Sequence, residues 1–375
     1  MADHPTAVVV GAGIFGAATA LALTRRGWQV TLLERAMVGH AGASSGGESR
    51  LLRYSHGAEP WYTALAWAGR EEWRRLQEET GVEVLVETGL VWFARDATGW
   101  ESDSLAELTA QDIPVERVSP ADVAELYPSV RTDDLAFGLW EPLAGVLRAR
   151  VGVRSMARRA VELGASLREG VVARRVDEGV FAGGDVLRAD RVVWACGPWL
   201  PAVIGDRLRL AVTQQDVCWF HADPAWRADR VPAWVDFAGG AYGTGDLDGH
   251  GFKASSDRQG PPFDPDAGDR LPLEGHIAAA RTILAHRFPA LADAALAGTR
   301  TCQYTTTVDT EFVIAPLDDD GTWVAGGGSG HAYKHGPALG AYIADVLDGT
   351  RPPDPRFGLD GRTAAGTLRT AGHRG

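Results

Sequence analysis

The chain runs to 375 residues, 45% of them hydrophobic, with a formal net charge of −12 and three cysteines. That length supports two domains with sizeable cores, the hydrophobic share excludes disorder as its theme, the acidic balance excludes a general nucleic-acid surface, and no apolar run reaches the length of a membrane span. Cys196, Cys218 and Cys302 stand too far apart for a structural zinc site or a disulfide framework, so no metal is expected.

A few polar residues precede a buried-strand pattern, with none of the charged start and cleavage site of a secretory leader, and a cytoplasmic location is the expectation. Residues 6–10 read as a strand, Gly11-Ala12-Gly13-Ile14-Phe15-Gly16 as a glycine turn, the Ala/Leu-rich stretch to residue 26 as a helix, and 30–33 as a second strand. This matches the dinucleotide fingerprint. One glycine makes the tight turn, one lets backbone approach a pyrophosphate, and one lets helix pack on strand, while the helix N-terminus faces the phosphates. Glu34 closes the second strand where a carboxylate would take ribose hydroxyls and disfavour a 2′-phosphate.

Residues 40–53 are polar and rich in glycine and serine, ending in Arg50-Leu51-Leu52-Arg53. The pattern then predicts an amphipathic helix over 61–80 and one or two strands over 82–93. Ser119 as cap, Pro120 in the first position and Asp122 in the first turn mark a helix start over 119–126. An Arg-rich helix is expected over 152–163, short strands around 171–187, and a buried strand over 191–195 leaving through Cys196-Gly197-Pro198. Residues 213–235 read as strand-like, 258–265 as a Pro/Gly loop, 275–288 as a helix, 323–325 as a strand, 326–330 as a glycine loop and 337–347 as a helix. There are no internal repeats.

Among the 37 basic residues only Lys253 and Lys334 are lysines. Lysine is a compact ammonium whose pKa moves on burial, whereas arginine is a planar fork that stays charged, so a chain that otherwise uses arginine marks these two positions as candidate chemistry.

Four pieces carry a family resemblance: the fingerprint with Glu34; Arg50 and Arg53 after the Gly/Ser stretch; Thr301-Cys302-Gln303-Tyr304-Thr305; and Gly328-Ser329-Gly330-His331-Ala332-Tyr333-Lys334. In this order, and over nearly the whole chain, they resemble the monomeric sarcosine oxidase group, which includes N-methyltryptophan oxidase and pipecolate-type oxidases and belongs to the FAD-dependent amine and D-amino acid oxidase superfamily. The resemblance implies an α/β fold of two domains. A Rossmann-type FAD-binding domain would comprise 1–82, 140–211 and 307–375, and a β-sheet-rich substrate domain of α+β type would comprise 83–139 and 212–306. It implies FAD joined through its 8α carbon to the thiol of Cys302, with cofactor contacts from Gly11, Gly13, Ile14, Phe15, Gly16, Glu34, Arg35, Ser45, Glu48, Ser49, Arg50, Cys196, Gly197, Gly328, Gly330, His331 and Lys334. Arg53 and Lys334 match a pair that grips the substrate carboxylate, and Arg50 matches a cation lying against the flavin. Lys253 matches a lysine serving the reaction with O2, and Tyr242 and Tyr304 match the pocket wall.

Two departures stand out. Asp257 occupies the place where sarcosine oxidases carry a histidine four residues after the oxygen-site lysine, which puts sarcosine itself in doubt as substrate and offers a carboxylate for a substrate ammonium. Glu48-Ser49 replaces an Asp-Thr pair. The implied partners are a small amino acid, N-methylated or cyclic, and O2, on a monomer or dimer. The implied products are an imine and hydrogen peroxide. A flavin dehydrogenase with another electron acceptor and a catalytically silent FAD-binding protein are the rival readings.

Overall fold

A computed structural model describes residues 4–364, so residues 1–3 and 365–375, the ends of the expected segments 1–82 and 307–375, lie outside the described residues. The opening pattern folds as read: strand Thr6–Val10, helix Ile14–Arg25, strand Gln29–Leu33. Gly11 sits at φ +99°, and a Cβ on it would lie 2.5 Å from the Ala195 carbonyl oxygen, so backbone crosses backbone here as only glycine permits. A Cβ on Gly16 would lie 1.8 Å from the Gly11 oxygen, which is how closely the helix descends onto the strand.

Those strands belong to a six-stranded sheet ordered Val313–Pro316, Thr322–Gly326, Arg191–Trp194, Thr6–Val10, Gln29–Leu33, Ser166–Arg168. All neighbours run parallel except the edge strand Val313–Pro316. Helix Ile14–Arg25 packs against Ala149–Glu162 and Gly336–Leu347, and every residue from Ile14 to Thr24 is buried. Its continuous apolar sequence reflects the absence of a solvent face.

The second layer is an eight-stranded sheet ordered Leu296–Thr306, Ala211–Phe220, Phe252–Ser256, Ala241–Thr244, Ala233–Asp236, Leu90–Ala94, Phe137–Glu141, Glu116–Val118. Neighbours are antiparallel apart from the parallel pair Ala233–Asp236 and Leu90–Ala94. Helix Glu274–Arg287 covers one face, over a core that includes Phe93, Trp234, Phe252 and Phe288. A small sheet of Ser49–Leu52, Gly145–Arg148 and Leu85–Val86 carries the arginine segment.

The structure refines two expectations and adds one element. Residues 82–93 form two strands in different sheets, because Gly89, at φ +68°, turns the chain between them with Trp140 against the space a side chain would need. Residues 213–235 form two strands that are not neighbours, separated by a 3-10 turn at Pro224–Trp226. Helix Trp100–Ala110 was not anticipated: it buries only Ser104 and Leu108 and so has no apolar stripe to read. The helix start at Ser119 is as expected, with a capping box closed by Asp122.

Replacing Gly16 by alanine is expected to destabilise the protein by about 3 kcal/mol, since the added methyl meets backbone that cannot rotate away. Urea unfolding of Gly16→Ala measures this, and an unchanged midpoint would show that the helix shifts freely on the strand.

Candidate active site

Two cavities meet between the sheets. The larger, about 540 Å³, is lined by Gly11, Gly13, Ile14, Phe15, Glu34, Arg35, Ser45, Cys196, Gly197, Gly328 and Gly330 among others. The smaller, about 80 Å³, is lined by Arg53, Trp92, Phe237, Tyr242, Asp257, His331 and Lys334 among others. Arg50, Tyr304, Gly330 and Tyr333 face both. Most of the residues expected to hold a cofactor or a substrate line these two adjoining spaces.

The larger space suits a dinucleotide on its own geometry. Glu34, buried at the end of its strand, accepts hydrogen bonds from the backbone N–H groups of Ala12 at 2.9 Å and Ala36 at 3.0 Å, and so braces the glycine turn. Ser45 Oγ accepts from the N–H of Ile14 at 3.0 Å, next to the side-chain space that Gly13 leaves open. The guanidinium of Arg35 lies 4.6 Å from the ring centre of Trp199. Gln303 Oε1 and Thr305 Oγ1 are buried polar atoms with no protein partner, and both residues face this cavity. Buried polar atoms need partners, and a polar cofactor meets that need.

Gly16, Glu48, Ser49, Lys253 and Cys302 line neither cavity. Glu48 turns away to Arg300, and against the upward push of burial that guanidinium holds its carboxyl below the ordinary value. Cys302 Sγ stands 3.6 Å from Arg50 Nη2, behind the guanidinium that faces both cavities. Arg50 also donates to the carbonyls of Ser49 and Ser44, each at 2.7 Å. Burial pushes the thiols of Cys196 and Cys218 up to about 12 and about 11, which leaves both inert at neutral pH.

Lys253 is 1% exposed, with Nζ 3.3 Å from Ser49 Oγ and 5.0 Å from the ring centre of Tyr242. Burial, followed by the charge of Arg50, lowers it to about 7. Lys334 donates from Nζ to the His331 carbonyl at 2.6 Å, and His331 Nε2 meets the Thr310 carbonyl at 3.0 Å. Arg53 donates to the Ser55 carbonyl and lies over Trp92, 5.1 Å from the ring centre. Burial, then Tyr304 and the charge of Asp257, push the Tyr242 phenol well above its usual value.

The sequence did not single out the aromatic wall of Trp92, Trp100 and Phe237, in which Trp100 and Phe237 stack at 4.5 Å. Nor did it single out His56 and His335, which are buried beside His331. Burial and then the charge of Lys334, with Arg53 adding to it, hold both well below the usual imidazole range, so they are neutral. The nitrogens of the three rings lie within 4.8 Å of one another, and the charges of Lys334 and Arg53 beside them act against a further cation there. No helix among the described residues is long and apolar enough to cross a membrane.

The chain is similar over nearly its whole length to known proteins. The monomeric sarcosine oxidase of Streptomyces avermitilis is 30% identical over 367 residues, covering 92% of this chain and 94% of that protein. An N-methyl-L-tryptophan oxidase of Yersinia pestis is 25% identical over 355 residues, covering 90% of this chain and 93% of that protein. Among solved structures, the L-proline dehydrogenase of P. horikoshii superposes with a TM-score of 0.85 at 20% identity, covering 96% of this chain and 98% of that one. NikD, an unusual amino acid oxidase essential for nikkomycin biosynthesis, gives 0.78 at 23% identity over 96% of this chain and 98% of that one. The family model described as FAD dependent oxidoreductase matches residues 6–346, and the chain, with its two-domain α/β fold and dinucleotide cavity, belongs to that family.

Proposed function

We propose that the protein is an FAD-dependent oxidase of a small amino acid, N-methylated or cyclic at nitrogen, which it converts to the imine. The observation that carries this reading is the meeting of the two cavities at Arg50, Tyr304, Gly330 and Tyr333, one shaped for a dinucleotide and the other bearing Arg53 and Lys334. When bound, FAD would supply the acceptor for the α-hydrogen with the electron pair of its C–H bond while the amine lone pair forms the C=N bond, and those two electrons, with that hydrogen and the proton released from nitrogen, would reduce O2 to hydrogen peroxide. The six-stranded sheet and its helices form the FAD-binding domain, and the eight-stranded sheet forms the substrate domain.

Arg53 and Lys334 grip the substrate carboxylate, each such contact contributing about 1.5 to 3 kcal/mol when desolvated. Asp257, on the wall of the same cavity, meets the arriving ammonium. Tyr242, Tyr304 and the Trp92 and Phe237 rings exclude water and fix the orientation of the amine, which contributes rate by holding the reacting bond in place. Arg50 and His331 bias the cofactor's end of the cavity toward negative charge. Lys253, with a pKa of about 7, gains a proton when a negative charge arrives beside it, and the resulting ammonium stabilises charge passing to O2. Cys302, behind Arg50, is the point of covalent attachment.

Acid denaturation of the purified protein is expected to leave a yellow pellet, and the pellet of Cys302→Ala is expected to be white with flavin in the supernatant. Yellow supernatant from the wild type would remove the covalent link. A peroxide-coupled screen of secondary amino acids then tests the oxidase reading, and substrate loss without peroxide would turn it toward the dehydrogenase.

Lys253→Met is expected to slow reoxidation by O2 about 100-fold while changing anaerobic reduction by substrate little. Stopped-flow measurement of the two half-reactions checks this, and equal slowing would remove the oxygen role. The same residue sets a pH dependence. Between about pH 7 and the ordinary lysine value of 10.5, the folded Lys253 is neutral while the unfolded one binds a proton. The unfolded state then holds more protons, so Lys253 makes stability rise with pH across this window, by at most about 1.4 kcal/mol per unit. Urea unfolding of Lys253→Met from pH 7 to 10 should show that slope reduced; an unaltered slope would mean that the amine is not held neutral.

A further inference from the structure

We propose that Glu141 is the positioning residue of Arg53, the buried carboxylate that fixes two of the surfaces against which this guanidinium rests, the Ser55 carbonyl and the Trp92 ring. The proposal builds on the reading of Arg53 as a carboxylate grip. Glu141 ends the Phe137–Glu141 strand and is 0% exposed. Its two oxygens receive four hydrogen-bond donors. Oε2 accepts from the backbone N–H of Tyr54 at 2.6 Å, and Oε1 accepts from Ser55 Oγ at 2.5 Å, Trp92 Nε1 at 2.7 Å and the Ser55 N–H at 3.4 Å.

Each of these donors belongs to a residue that Arg53 touches or directly precedes. Tyr54 and Ser55 are the next two residues of its chain, and the Ser55 carbonyl accepts from Arg53 Nη1. Trp92 is the ring beneath the guanidinium. A flexible side chain with several rotatable bonds gains a fixed direction only if its supports are themselves fixed, and one carboxylate here holds a carbonyl-bearing turn and an indole face in register. The set contains four donors and no acceptor, which a carboxylate satisfies with its lone pairs alone. An amide in its place would turn an NH2 group toward N–H and O–H donors, loosening the turn, the indole, or both. Glu141 lines neither cavity, so its effect on a ligand passes through Arg53.

The test is a double-mutant cycle on the holoenzyme, with benzoate as the carboxylate probe and benzamide as its uncharged twin, followed by calorimetric titration. Glu141→Gln should weaken benzoate about tenfold and leave benzamide unchanged, and Arg53→Ala with Glu141→Gln should lose no more benzoate affinity than Arg53→Ala alone. Additive losses, or equal losses for both probes, would overturn the proposal and leave Glu141 as packing. Unchanged benzoate affinity in Arg53→Ala, or no benzoate binding to the wild type, would instead sink the carboxylate grip itself and the proposal with it. If Glu141→Gln does not accumulate as folded protein, Ser55→Ala removes one donor and keeps the carbonyl. It should then give about a threefold loss with the same non-additivity, and a Ser55→Ala loss that adds to that of Arg53→Ala overturns the proposal.

Discussion

Lys334, 3% exposed, shares the smaller cavity with Arg50 and Arg53, and Lys253, 1% exposed, lies close enough to Arg50 to feel its charge; this concentration of like charge governs the site. Charges in a poorly hydrated space repel strongly, and burial penalises each of them further. Lys253 responds by dropping to about 7, and His56 and His335 by staying neutral. The cations are steered by carbonyls: Ser44 and Ser49 for Arg50, Ser55 for Arg53, His331 for Lys334. The nearby carboxylate of Glu48 is bound to Arg300, and its charge still partly offsets the lowering of Lys253. Asp257 lines the same cavity, so a carboxylate stands at the wall of this cationic cluster.

The first thirty-odd residues were legible because each local requirement is written in the local sequence: an apolar strand, glycines where backbone crosses backbone, and a helix apolar all round. The Ser119 helix start was readable for the same reason, since its cap and its partner Asp122 lie within one turn. Residues 137–148 were not. Glu141 is a buried acidic residue at the end of its strand, and what holds it, four donors from residues 54, 55 and 92, is distant in sequence.

The site shows the same division. No spacing rule brings Arg53, Tyr242, Asp257 and Lys334 to one cavity; their assembly is tertiary, and only a resemblance over the whole chain named them in advance. The aromatic wall was missed because Trp92 reads as an ordinary core residue of its strand and Trp100 opens a helix with no apolar stripe. Its role comes from the stack with Phe237 and from Arg53 lying over Trp92, contacts made across distant parts of the chain.

The order of strands in the parallel sheet also sets a timetable. Thr6–Val10 must wait for Arg191–Trp194 to be made before its second edge is paired, and that strand must wait for Thr322–Gly326. The glycines at 328 and 330 that close the larger cavity come later still on the ribosome. Pairings so distant in sequence form slowly, because loop closure precedes the contacts that reward it. The dinucleotide cavity is thus a product of the finished chain, and the nascent protein carries an incomplete sheet with an exposed apolar edge for most of its synthesis. Supply of cofactor at the moment of closure, and protection of that edge until then, are demands on the cell that follow from strand order alone.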